Sequence, residues 1–516
     1  GVERGTARTI MSLTPIPQVS QRTGEAAPGC GPIAHSKRAK WRAVSLVAVH
    51  VVVLIHVAHW MVTGRTLTPV EPSEAMMTLE RGAVNAGFLL FILLIASTLM
   101  FGRFFCGWAC HVVAYQDLCG AMLKRLGMRP KPFRSRFLVF VPLGAALYMF
   151  VWPQVLRVWE ARPMPTFVYH LTTDDFWATF PGPAVTLLTF AVCGFGVVWL
   201  LGNKGFCTYG CPYGAFFYHA DHVAPGKIRV TDACDGCGHC TATCTSNVIV
   251  HEEVAAHGMV VDGGCMKCLD CVDVCPKGAL YFGFGAPSLA KGKPKTMRTR
   301  RAYDYTLPEE VLLVAVFLAC VYAFRSLYDT VPFLLTLGLS GGTAVLLLTA
   351  IRALYVPNVR LQRFQLRSGG RLSRSGRGFL ALAAVLLAFV GHSAGVQYQT
   401  RQGAAQHAQA VAAFEQGDAE RAEALAEQAL ANLEWSSRYG LMPVARVEAM
   451  IGNLESRLGR PGLAIVHLEK AAALQPKGAE IRRALANTLA EVGLPRDAVA
   501  CPEGGRAAGR ERKWIS

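Results

Sequence analysis

Seven stretches of this chain are apolar over nearly the thickness of a bilayer and are separated by polar loops. An apolar run to Val62 follows Lys37-Arg-Ala-Lys40-Trp41-Arg42. The others are Ala86 to Gly102, Phe137 to Leu156, Pro183 to Leu201, Val311 to Tyr328, Val331 to Ile351 and Gly378 to Val396. Most are long enough for a helix to cross about 30 Å of hydrocarbon. Ala86–Gly102 is short and is expected to extend backward as helix through Leu79 to Asn85. Val311–Tyr328 carries Arg325, which must snorkel to the interface. Cys193 and Cys320 fall inside spans and read as small core residues.

Beyond the last span the period changes. From 404 to 500, Ala, Glu and Arg recur at helical spacing. Gly459-Arg-Pro461 returns as Gly493-Leu-Pro495 and Ala464 as Ala498, both at an offset of 34. That is the tetratricopeptide period, a helix–turn–helix unit. An earlier helix pair is expected to turn at Gly417-Asp418. A short plain helical bundle is the alternative.

Composition agrees with a membrane protein: 52% of residues are hydrophobic, 17% are charged and the mean hydropathy is +0.31. The net charge of +17 raises the question of nucleic acid. The bases, however, sit in short runs beside the spans, where they fit a role in topology, so no nucleic-acid partner is expected. The loop from Arg103 to Arg136 has seven bases against Asp117 alone, the loop from Arg352 to Arg377 is rich in arginine without an acid, and Lys291–Arg301 is basic. The loops 63–85 and 157–182 hold the acids Glu71, Glu74, Glu80, Glu160, Asp174 and Asp175. The alternation places the amino terminus and residues 203–300 in the cytoplasm and the carboxyl-terminal region in the periplasm of a cytoplasmic (inner) membrane.

Cysteines supply the chemistry. Cys234-Asp-Gly-Cys237-Gly-His-Cys240-Thr-Ala-Thr-Cys244 and Cys265-Met-Lys-Cys268-Leu-Asp-Cys271-Val-Asp-Val-Cys275-Pro276 both have the spacing C-x2-C-x2-C-x3-C. In such a pair of runs three close thiolates wrap one cube and the fourth ligates the other. Cys234, Cys237, Cys240 and Cys275 are therefore assigned to one [4Fe-4S] cluster, and Cys265, Cys268, Cys271 and Cys244 to a second. A pair of zinc knuckles is the competing reading, but zinc sites use separated C-x2-C pairs or mix in histidine. Thr245 stands after Cys244, where the second run has Pro276.

Two further motifs follow the second and fourth spans: Gly102-Arg-Phe-Phe-Cys106-Gly-Trp-Ala-Cys110-His111 and Gly205-Phe-Cys207-Thr-Tyr-Gly-Cys211-Pro212. Their first cysteines are 101 residues apart, each after a span running from outside to inside. Such parallel repeats bring equivalent positions to one depth. Cys106, Cys110, Cys207 and Cys211 are the candidate ligands of a third centre, iron–sulfur or copper(I). A dithiol/disulfide pair and four inert thiols are the alternatives. Cys119 is unpaired nearby, and Cys30 is a free tail cysteine. His56 and His59 share one face of the first span, with His392 on the last as the one partner for a haem. A quinol site with Glu74 or Glu80, or interfacial histidines bonded to backbone, are the other readings.

With two C-x3-C motifs and a double cluster run, residues 41 to about 300 resemble the NapH/NosR-type membrane polyferredoxins and the FixG-type proteins. The resemblance implies electron transfer between the quinone pool, or a cytoplasmic donor, and a periplasmic redox partner. The family pattern is C-x3-C-P twice; Cys211-Pro212 matches it and Cys110-His111 does not. The fold expected is a multi-pass α-helical membrane protein with a bacterial-type 2[4Fe-4S] ferredoxin insert (α+β) and a C-terminal all-α tetratricopeptide-like domain. Its parts are a disordered cytoplasmic tail (1–40), a four-helix membrane domain (41–202), the ferredoxin domain (203–300), three further membrane helices (301–397), helical repeats (404–500) and a disordered tail (501–516). The function expected is one-electron transfer without acid–base catalytic residues, and the helical repeats would recruit an extracytoplasmic protein. A maturation factor that reduces copper or thiols, and a redox sensor or scaffold, are the alternatives.

Overall fold

The computed structural model describes residues 32–128, 130, 133–176, 182–290, 303–476 and 478–493. Cys30, the loop bases Arg129 and Lys131, the basic run Lys291–Arg301, Pro495 and Ala498 of the repeat, and the tail 501–516 lie outside the described residues. The chain divides into two units, residues 1–321 with 332–386 and residues 322–331 with 387–516.

In the first unit, Ser36 caps the opening turn of α1 (Arg38–Thr63), its Oγ accepting from the Ala39 N–H at 3.1 Å. Gly64, left-handed at φ 70°, ends it. β1 (Thr66–Leu67), α2 (Ala75–Arg81) and β2 (Ala83–Val84) lead to α3 (Ala86–Phe101). The expected backward extension of α3 through Leu79–Asn85 is not formed. Gly82 takes φ 74° and stops α2, and the Asn85 side chain accepts from the Phe88 N–H as an N-cap, so a new helix must begin there. α3 is consequently only 16 residues long.

Two short helices with equivalent neighbours follow α3 and its counterpart. α4 (Phe104–Trp108) and α5 (His111–Arg125) come after α3. Next is α6 (Leu138–Trp159), then β3 (Val168–Tyr169) and β4 (Thr172–Thr173), which pair with β2 and β1 to close the loops at that end. α7 (Pro183–Leu201) leads to α8 (Gly205–Tyr209) and α9 (Pro212–Val223). β5 (Lys227–Val230), α10 (His239–Thr243), α11 (Val250–His257), α12 (Asp270–Asp273) and β6 (Leu280–Gly283) make the cysteine-rich segment, with β5 and β6 antiparallel. α13 (Leu307–Phe324), α14 (Phe333–Tyr355), the three-stranded sheet β7 (Val359–Leu361), β8 (Phe364–Ser368) and β9 (Arg371–Leu372), and α15 (Arg374–Gln416) follow.

Among the described residues, six helices are long and apolar enough to cross a membrane: α1, α6, α7, α13, α14 and α15. α3 is apolar but shorter. α14 is the core helix, 78% buried over its apolar window, whereas α1 is 6% buried. Leu337, Ala344, Val345 and Leu348 of α14 pack against Leu313 and Phe317 of α13 and Val197 and Leu201 of α7. The bare valines of α1, such as Val44, Val47 and Val52, face outward, where lipid rather than water suits them.

The second unit is helical. The end of α15 packs through Ala410 and Phe414 onto Ala426, Ala429 and Leu433 of α16 (Ala419–Tyr439). The expected turn at Gly417-Asp418 is present, with Gly417 at φ 78° and Asp418 capping α16. α17 (Ala445–Arg457) and α18 (Pro461–Leu474) turn on Gly459, at φ 72°, and α19 (Ala479–Glu491) follows. Gly452 lets α17 and α18 cross closely: a Cβ there would stand 3.0 Å from the Ala464 carbonyl.

Between those two helices Glu448 is wholly buried. It accepts from Ser437 Oγ and Lys470 Nζ at 2.6 Å each, and bonds His467 Nδ1 at 2.7 Å. Burial opposes its charge, but the bonds from Lys470, Ser437 and His467 outweigh burial and hold its pKa below the usual glutamate value. Glu448→Gln is expected to cost this unit about 1–3 kcal/mol. Because the folded pKa is the lower one, the contribution of Glu448 is full above about pH 4.3 and is lost as pH falls through the folded value. Thermal melts of wild type and variant at pH 7 and pH 3.5 check both points: a gap that does not narrow in acid contradicts them.

Candidate iron–sulfur and membrane cysteine site

The cysteine-rich segment is closed by the β5–β6 ribbon over a core of Ile228, Val248, Val254, Val260 and Leu280. Both cysteine runs have the same twist. In the first, Gly236 and Gly238, on either side of Cys237, take φ 75° and 79°. In the second, the equivalents flanking Cys268 are Lys267 and Leu269, at φ 50° and 65°. Glycine accepts this conformation freely, whereas lysine and leucine are strained in it. Strain held at two equivalent places marks a backbone whose shape is required by function. Successive left-handed turns of this kind aim N–H groups at one concavity, as iron–sulfur sites need. The residues present therefore fit such a cluster.

The described cysteines are all free thiols. Cys240 lies in electrostatic reach of Cys234 and Cys237. Cys244, the last of the first run, lies in reach of Cys265, Cys268 and Cys271 of the second. Cys275 shares the same core and accepts from the Ala279 N–H at 3.3 Å. Burial pushes the Cys240 and Cys244 thiols up to about 12. Bare thiols here stay protonated, so ligation must displace protons. Among the described residues, no three His, Cys, Asp or Glu side chains stand close enough to share one metal ion.

The two C-x3-C motifs are brought together. After α3 and α7 the chain turns at Gly102 and Gly202, both at positive φ, 68° and 94°. α4 and α8 carry the first cysteines, and Cys110 and Cys211 are the N-cap residues of α5 and α9. Cys110 lies in reach of Cys106, Cys207 and Cys211. Cys106 and Cys207 are buried in one cluster with Phe91, Phe150, Phe217 and Met266. α9 folds back along α3, so that Tyr213 meets Phe91 with ring centroids 6.0 Å apart. The tip of each hairpin thus presents a helix N-terminus, with its partial positive charge, to the sulfurs.

This quartet is built against the second cysteine run. Trp108 Nε1 donates to the Lys267 carbonyl at 3.0 Å. A Cβ on Gly107 would lie 2.2 Å from the Met266 carbonyl oxygen, so only glycine allows that approach. Beside it, Asp221 accepts from Lys227 Nζ at 2.6 Å, Lys267 Nζ at 2.7 Å and the Arg103 N–H at 3.0 Å. Burial works against the Asp221 charge, but Lys267 and Lys227 hold its pKa below the usual carboxylate range. α1 is latched to the same run. Arg42 pairs with Asp270 at 3.1 Å and Arg38 with Asp273 at 2.8 Å.

Sequence reasoning missed Asp221, Lys227 and Gln116, and it took Arg42 and Arg103 for topology markers. A signal was available for one of them, because a base stands three residues before the first cysteine of both motifs. Cys119, Cys193 and Cys320 are packed apart from the quartet; Cys119 and Cys320 are fully buried, and Cys193 Sγ meets the Leu334 carbonyl at 3.7 Å. His56 bonds the Leu67 carbonyl at 3.1 Å, as in the backbone-bonded reading, whereas His59 bonds the Thr66 side-chain Oγ1 at 3.0 Å. Glu74 and Glu80 give their carbonyls to Asn85 and Arg157.

The 4Fe-4S binding domain family matches residues 86–129 and 183–229, the two segments that hold the C-x3-C motifs, and the 4Fe-4S dicluster domain family matches residues 233–280. The chain is similar to the methylamine utilization ferredoxin-type protein MauN of Methylobacillus flagellatus, at 27% identity over 227 residues, 40% of this chain and 76% of that protein. It is similar to the ferredoxin-type protein NapH of Haemophilus influenzae, at 25% over 204 residues, 35% of this chain and 62% of NapH. It also matches the regulatory protein NosR of Pseudomonas aeruginosa, at 30% over 199 residues, 36% of this chain and 25% of NosR. No solved structure matches.

Gly107→Ala is expected to force the motif off the second run at a cost of about 1–3 kcal/mol. Gly144→Ala, where a Cβ meets nothing within 4 Å, serves as the control. Thermal melts and iron retention of the two variants check this; equal behaviour would show that the close contact is not made.

Over residues 86–280, which carry both iron–sulfur domains, the chain is a relative of the NapH/NosR-type polyferredoxins.

Proposed function

We propose that this protein is a membrane-bound iron–sulfur electron-transfer protein that links a cytoplasmic donor, or the quinone pool, to an extracytoplasmic redox partner. The observation that carries the reading is the direct seating of the first membrane motif on the second cysteine run, through Gly107, Trp108 and Lys267, with Cys106 and Cys207 in one buried cluster with Met266. A shared interface of that kind lets an electron pass between a centre at the motifs and a cluster at the run. The printed names of MauN and NapH, both ferredoxin-type proteins, support the same reading.

In this reading the α+β segment 203–300 holds two [4Fe-4S] clusters, on the ligand sets Cys234, Cys237, Cys240, Cys275 and Cys265, Cys268, Cys271, Cys244. The nearness of Cys244 to the second run supports the exchange of fourth ligands. Cys106, Cys110, Cys207 and Cys211 hold a third centre, which the family match over both motif segments supports. The ferredoxin segment faces the cytoplasm. The carboxyl-terminal helices form tetratricopeptide-like repeats outside that dock a protein partner. Three candidate spans, α13, α14 and α15, lie between the two regions, and an odd number of crossings supports opposite sides.

Three measurements test the proposal. Anaerobically purified protein is expected to carry about eight irons from the paired runs and about four more from the motifs. Cys275→Ser should damage the cluster of Cys234, Cys237 and Cys240; loss of the other cluster's paramagnetic signal instead would overturn the ligand exchange. Reporter fusions at Gly285 and Gly403 should report opposite sides of the membrane, and the same side would refute the orientation.

A further inference from the structure

Laid over each other, the two motifs share a base three residues before the first cysteine: Arg103 before Cys106, and Lys204 before Cys207. Both are buried, at 4% and 3% exposure. Each is anchored by the other repeat. The Arg103 N–H donates to Asp221 on α9, the helix that the second motif starts. Lys204 is ion-paired with Asp117 on α5, the helix that the first motif starts. The guanidinium of Arg103 hydrogen-bonds Cys106 and lies in reach of Cys207 and Cys211. One of its Nη atoms donates to the Gly263 carbonyl at 3.1 Å, and its buried Nε has no partner. Gln116 donates to Cys207 Sγ at 2.9 Å while its Oε1 accepts from the Phe206 N–H at 3.2 Å. These groups favour sulfur that carries charge.

The balance of charge says more. Around the quartet and the adjoining run, the buried cations are Arg42, Arg103, Lys204, Lys227 and Lys267. The carboxylates paired with them are Asp117, Asp221 and Asp270, two fewer than the cations. Buried charge needs compensation, and charged sulfur beside Arg103 supplies it. A disulfide is neutral and supplies none. A four-thiolate iron–sulfur cube is a net anion.

We propose that Arg103 and Lys204 are the counter-charges of the four-cysteine centre, and that the site takes an anionic, all-thiolate iron–sulfur cluster in preference to a disulfide. The inference rests on the reading of Cys106, Cys110, Cys207 and Cys211 as a redox centre. Arg103 and Lys204 act on it as positioning residues, through charge.

The test uses the full chain, purified anaerobically, with Arg103→Gln, Arg103→Lys and Lys204→Gln. Iron per chain and midpoint potentials from titrations followed by electron paramagnetic resonance are the readouts. Removing a positive charge disfavours the reduced, more negative state. Arg103→Gln and Lys204→Gln should therefore lower the potential of the additional centre, or release its iron alone, while the two dicluster signals persist. Arg103→Lys keeps the charge and should stay near wild type. If Arg103→Gln fails to fold, Arg103→Lys and Lys204→Gln carry the comparison. An additional centre whose potential is unchanged in Arg103→Gln and Lys204→Gln overturns this inference alone. Wild-type protein with no iron beyond the dicluster, and thiols at the four cysteines that label freely, overturns the underlying reading as well.

Discussion

Asp221 is the point on which the first unit depends. It is wholly buried, and it meets two ammonium groups and a backbone N–H, each from a different part of the site. Lys227 begins the strand that closes the cysteine-rich segment, Lys267 sits between two cysteines of the second run, and Arg103 opens the first membrane motif. Bringing those charges out of water costs several kcal/mol per ion, and the attraction between them offsets this only when every partner is in place. The network is therefore weak as glue and strong as a gauge. A shift of the cysteine run relative to the motif would leave a bare buried charge, so one register is enforced. Gly107 adds a steric limit to the same register, since its Cα faces the Met266 carbonyl with no room for a side chain.

The cysteine spacing was legible because ligation of a cube imposes fixed intervals on the chain. The left-handed residues flanking Cys268 were not, because Lys267 and Leu269 resemble ordinary residues and only the fold strains them. Spans were legible as apolar runs. The start of α3 was not, since the capping of Asn85 and the turn at Gly82 override the apolar pattern between Leu79 and Val84. Arg42 and Arg103 were read as charges at a membrane surface. A count of charge by loop cannot tell a solvated base from one drawn inward by Asp270 or by thiols. The shared helical face of His56 and His59 has a local use in bonding the strand beside it.

The departure at Cys110-His111 from the proline form of the motif proves to be a change of side chain and not of backbone. Cys110 has φ −83° and ψ 122°, and Cys211 has φ −82° and ψ 109°. Proline suits the first helical position because it lacks an N–H that the helix would leave unused and because its φ is preset. His111 fills that position at the start of an otherwise equivalent helix. The two hairpins thus aim equivalent helix ends at one place although their sequences differ at the residue that a motif search weights most.

On the proposed assignment, the order of the centres follows from the contacts. The membrane motifs touch the run from Cys265 to Cys271 through Gly107 and Trp108. That run holds Cys244 in reach and so adjoins the first run, whose Cys234 is exposed. The gradient of burial, from the quartet packed among Phe91, Phe150 and Phe217 to a cysteine in contact with water, gives the path one dry end and one wet end. Water raises the local dielectric and lessens the field of the fixed cations, so the buried end is where Arg103 and Lys204 act with the greatest effect on a bound centre. A soluble carrier can approach the wet end without disturbing the ion network. At the dry end α3, α6 and α9 contribute a cluster of aromatic side chains.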